Sequence, residues 1–88
     1  MSDVLIMNKA QMDTLTQRFR QKAEEVNQLR TDITQLLGGT TWDGNRARRF
    51  REQWNSTFSP SLVKLQQALE ENAGFLDQER VNAMTAMD

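Results

Sequence analysis

Neither cysteine nor histidine occurs in this chain of 88 residues. Their absence excludes disulfides, thiolate nucleophiles, imidazole bases and the usual zinc and haem ligands. A domain this small, with no bridge or such metal site to lean on, must find its stability in packing or in a partner. Tyrosine is also missing, proline occurs once and glycine four times. So few breakers in so polar a chain favour long helices over many short strands. No charge sign dominates: 11 Lys and Arg stand against 12 Asp and Glu, a formal net charge of −1. That balance exerts no whole-chain pull toward nucleic acid or membrane. Long hydrophobic runs are lacking too. The apolar stretch Val4-Leu5-Ile6-Met7 lies between Asp3 and Lys9. It is too short for a signal-peptide core and has no basic leader, and nothing approaches the roughly 18 apolar residues of a membrane helix. The expectation is a chain without a cleavable signal or a span, cytoplasmic or exported by a route that reads neither.

What is present is helical periodicity. Met12, Leu15, Phe19, Val26, Leu29, Ile33 and Leu36 recur at steps of three or four, with Lys22 where an apolar residue would complete the heptad. That is the seam of a helix packed lengthwise on another. Ala23 and Leu37 widen the stripe to roughly 140° of the helix surface. This predicts helix one over about 8–37. Gly38-Gly39 is expected to end it by accepting positive φ, and the turn over about 38–44 is short enough to bring the next helix back antiparallel. Thr41 and Asp43 are candidate caps for that helix. Helix two is expected over about 45–82, with Ala47, Phe50, Trp54, Phe58, Leu62, Leu65, Leu69, Ala73 and Leu76 on one face. Pro60 removes a helical bond and clashes with the preceding turn. A kink or break is therefore expected near 59–60, with Ser59 as N-cap and Pro60 opening a restart. After Arg80 the pattern thins toward a frayed end.

The fold class is thus all-α: residues 1–88 form one antiparallel helix–turn–helix hairpin. Two helices touching along one seam consume a narrow stripe, whereas both stripes here are wide. Phe50, Trp54 and Phe58 would stay partly wet in a lone hairpin, and a long exposed apolar strip marks an interface. A second hairpin would cover it, giving a dimeric four-helix bundle. The expected dimer core is Leu15, Phe19, Val26, Leu29, Ile33, Leu36, Phe50, Trp54, Phe58, Leu62, Leu65, Leu69 and Leu76.

The turn carries Trp42-Asp43-Gly44, followed by Ala47, Phe50 and Trp54, then Leu65, Ala68 and Leu69. In length, turn and helix pattern the chain resembles the WXG family, small helical proteins similar to the early secreted antigenic targets of type VII (ESX-like) secretion systems. The resemblance implies a hairpin that forms a homodimer or heterodimer with another WXG-type hairpin. It also implies recognition by the export ATPase of the system and secretion without a cleavable signal. Trp42 and Gly44 would form the turn motif, lying near the tail of the partner as a joint export signal. The family's tail motif places Tyr four residues before an acid, with three residues between them. Here Met84-Thr85-Ala86-Met87-Asp88 is the nearest equivalent, with Met84 for the tyrosine and Asp88 for the acid. That departure suits a subunit exported alongside a partner that carries the intact motif.

Arg46, Arg48, Arg49 and Arg51 cluster at the start of helix two. An alternative reading makes them phosphate contacts of a nucleic-acid-binding or regulatory helical protein. The aromatics beside them fall on the core stripe rather than forming a stacking platform, so a solvated polar face is the simpler expectation, with no nucleic acid as partner. A cytosolic helical adaptor is the third reading. Acids at Glu24, Glu25, Glu70, Glu71, Asp77 and Glu79 fall mostly on polar faces, and no catalytic, metal or cofactor site is expected from them.

Overall fold

Asn8 opens the first helix. Its side-chain Oδ1 accepts the backbone N–H of Gln11 at 3.0 Å, satisfying one of the donors that a helix start leaves free. From there α1 runs Lys9–Gly39. After a connection at 40–44 the chain returns as α2 (Asn45–Gln53), a π-helical turn (Trp54–Phe58) and α3 (Ser59–Met87) without interruption. This computed structural model describes residues 7–87, with side chains described to Ala83. It is all-helical, with no strand among the described residues. The second arm packs back along α1 as a helical hairpin. The molecule measures 64 × 24 × 13 Å. Its smallest dimension is about one helix diameter, so the hairpin is a slab two helices wide and one thick.

The junctions differ from expectation. Gly38 and Gly39 do not stop α1: the helix passes through both, and neither has positive φ. The stop comes at Thr40, which is extended (φ −97°, ψ 125°) and whose hydroxyl donates to the Leu36 carbonyl. Neither Thr41 nor Asp43 caps α2. Gly44 takes that position at φ 109°, ψ 177°, without a side-chain hydrogen bond. This is a conformation nearly reserved for glycine, and the Gly44 carbonyl accepts the Arg48 N–H at 3.0 Å.

Pro60 neither breaks the arm nor makes Ser59 a cap, because Ser59 is itself helical (φ −61°, ψ −47°). The π turn just before the proline absorbs the disturbance, with the Ser59 N–H donating to the Trp54 carbonyl five residues back. The extra residue also corrects phase. Ala73 lies nineteen residues after Trp54, a separation that would leave them about 100° apart on an ideal α-helix. One residue taken up by the π turn brings both to the same side, and both are buried. The arm continues to Met87, beyond the expected end near 82.

The seam between the arms is made of small residues. Thr16, Ala23, Ala47, Ala73 and Ala83 are all within 1% of complete burial, and Trp54 is the one large hydrophobic residue that is buried among the described residues. Thr16 fits because its hydroxyl donates within its own helix, to the Met12 carbonyl at 2.9 Å. Polar groups share the interior: half-buried Arg30 bonds to Asn27 at 3.0 Å, and Arg80 pairs with Asp77 at 3.0 Å.

Candidate functional site

The leucine and aromatic rows read from the sequence are not the seam. They flank it. On α1, Phe19, Val26 and Ile33 are half-buried beside the seam, whereas Leu15, Leu29 and Leu36 are exposed, Leu36 to 67%. On the second arm Leu62, Leu69 and Leu76 are half-buried, while Phe50, Phe58 and Leu65 are exposed. Counted at about 100° per residue, the α1 set lies about 40–140° round from Ala23, and Leu65, Leu69 and Leu76 lie about 40–80° round from Ala73, in the same rotational sense. Two antiparallel helices that face each other turn that shared sense toward one side. Both rows therefore lie on one flat face of the slab. The other face carries Arg20, Glu24, Gln28 and Gln35 from α1, and Gln67, Glu70 and Gln78 from α3.

One member of the expected dimer core belongs elsewhere. Trp54 is only 7% exposed, and its indole Nε1 donates to the Thr34 hydroxyl across the hairpin at 3.0 Å. The π turn brings this ring into phase with the α3 seam and turns Phe58 away from it, so that Phe58, like Phe50, keeps the outer face. Trp54 and Phe58 still touch, with centroids 6.4 Å apart. Lys22, the gap in the heptad, stays exposed and bonds Glu25 at 3.0 Å.

At the turn end, Trp42 is 42% exposed and leans on Phe50, with centroids 5.8 Å apart and planes at 54°. This is a favourable tilted pair. Gly44 shapes the re-entry into α2 through its backbone alone, since a Cβ there would meet nothing within 4 Å. Of the four arginines, Arg46, Arg48 and Arg49 are exposed. Arg51 does not stay on the solvated face that the sequence suggests: it turns back over the connection. Its Nη1 donates to the Trp42 carbonyl at 2.7 Å, and its Nη2 to the carbonyls of Thr40 at 3.0 Å and Leu37 at 3.3 Å. The sequence hint for this was available: an arginine is poorly placed near a helix N-terminus, but well placed against the C-terminal carbonyls of the helix before it.

The expected tail lies mostly outside the described residues. Met84 is on α3, but its side chain and all of Asp88 fall beyond them, as does Leu5 at the other end. Among the described residues, no helix is long and apolar enough to cross a membrane, and no three acids, cysteines or histidines come together as a metal site. Comparison of the chain with family models, with curated proteins and with solved structures returned no match.

Proposed function

We propose that this chain is a WXG-type recognition protein that pairs through its apolar face with a second helical hairpin and leaves the cell as that pair through a type VII secretion system. The observation that carries the pairing is the uncovered face itself: exposed Leu15, Leu29, Leu36, Phe50, Phe58 and Leu65 on one side of a slab 13 Å thick. The accessible surface points the same way. At 6872 Å² it exceeds by roughly 1,500 Å² the surface of about 5,300 Å² usual for a folded monomer of this mass. A stable interface needs about 800 Å² from each side. A second hairpin is the occupant whose length and flatness match, and laying one slab on another gives a four-helix bundle with crossings near 20°.

Export rests on the sequence pattern Trp42-x-Gly44 between two long amphipathic helices. In this reading the apolar face makes the pair, and the turn with Trp42 and the tail near Met84 and Asp88 are what the export ATPase recognises. In this reading the chain itself carries out no bond chemistry; its part is recognition.

Two measurements test the reading. Light scattering of the purified chain at micromolar concentration is expected to give twice the chain mass, or a monomer that doubles when a companion hairpin is added. A monomer at every concentration, with no hairpin able to shift it, would refute the pairing. In cells with an active type VII system, Trp42→Ala is expected to lower export while leaving helicity intact. Unchanged export of that variant would remove the role of the turn.

A further inference from the structure

The arginines at the start of α2 do different jobs. Arg48 reaches its neighbour Asn45 at 3.0 Å, and Arg46 and Arg49 face solvent. Arg51 is half-buried and spans the whole connection, donating to carbonyls nine, eleven and fourteen residues earlier in the chain. Leu37 belongs to the last turn of α1, whose carbonyls have no helical partner and carry the negative end of the helix dipole. The guanidinium carbon lies 6.0 Å from the centre of the Trp42 ring, within cation–π range. A planar fork with five donors can serve three carbonyls and a ring face at once, whereas a lysine ammonium is a single point of charge. Among the described residues, no other side chain of the second arm bonds to the backbone of the turn.

We propose that Arg51 is the positioning residue of the turn. It fixes the backbone from Leu37 to Trp42 and so sets the direction in which the exposed indole of Trp42 is offered to a partner protein. This rests on the reading of the turn as a recognition element. The ring has one other anchor, its tilted contact with Phe50, which limits its approach without fixing the backbone beneath it.

The test uses the full chain labelled with 5-fluorotryptophan. Its two fluorine resonances are assigned with Trp42→Phe. In Arg51→Met the Trp42 resonance is expected to narrow and shift toward that of free fluorotryptophan, and in Arg51→Lys it should move part of the way. The Trp54 resonance, seated on the seam, should stay in place in both variants and so report an intact hairpin. An unmoved Trp42 resonance in both variants would overturn the proposal. So would equal movement of both resonances in both variants, because Arg51 would then support the whole hairpin rather than the turn. The export assay separates the two levels of inference. Arg51→Met is expected to lose as much export as Trp42→Ala, with no added loss in the double variant, and additive losses would count against positioning. Normal export of Trp42→Ala would instead overturn the recognition reading, whatever the resonances show.

Discussion

Replacing Ala73 by leucine should damage this hairpin more than replacing Leu29 by alanine, the reverse of what hydropathy suggests. Ala73 is completely buried, and the seam there has room for a methyl group. Three further carbons must push the helices apart or force strained rotamers, at a cost of about 1–3 kcal/mol. For a chain of this length each kcal/mol lowers Tm by about 4–8 °C, so Ala73→Leu is expected to melt about 10 °C below the parent. Leu29 is already 49% exposed. Truncating it removes about half of a leucine's burial, on the order of 1 kcal/mol, well short of the 2–5 kcal/mol typical of a core leucine. Circular dichroism melts over a concentration series check both numbers. At the lowest concentration that retains helicity, Ala73→Leu should be the damaged variant. At high concentration the parent should gain stability by pairing, and Leu29→Ala should lose that gain. A neutral Ala73→Leu together with a loss of 2–5 kcal/mol for Leu29→Ala at every concentration would show that the leucine row, not the alanine row, joins the two arms.

Other outcomes follow from the same geometry. Gly38→Ala should stabilise the hairpin by about 1 kcal/mol in thermal melts, because this glycine is helical and a Cβ meets nothing within 4 Å. Gly44→Ala should instead cost about 1–3 kcal/mol, since its φ of 109° strains any side chain even though space is free. Thr34→Val should cost about 1–3 kcal/mol by leaving the buried Trp54 N–H without its acceptor, with a shift in tryptophan emission as the second readout. Leu29→Glu should leave helicity unchanged but weaken pairing at least about a hundredfold by sedimentation, because pairing would bury an unmatched carboxylate. Undiminished pairing would place the interface on another face.

Much of this architecture is written in local chemistry. Scarce breakers, the three-and-four spacing and the Trp42–Gly44 turn specify two long helices folded back on each other, because periodicity and backbone preference act over a few residues. The same locality explains what stayed hidden. A sequence displays two rows on each helix, one of leucines and aromatics and one of Thr16, Ala23 and Ala73, but spacing does not say which row faces the other arm. Close approach of two helices favours the small row, and that selection exists only once both helices are in place. Trp54 reads as one row with Phe50 and Phe58 until the π turn before Pro60 brings it into phase with Ala73 and the returning arm sets its indole against Thr34. Arg51 reads as one of four like charges until the chain reverses and sets it over the carbonyls of Leu37, Thr40 and Trp42. Helix-forming patterns and backbone preferences thus place the two helices and the turn between them. Which side chains join the arms, which lie bare on one face and which arginine holds the turn are settled by packing, because each depends on groups distant in the chain that only folding brings together.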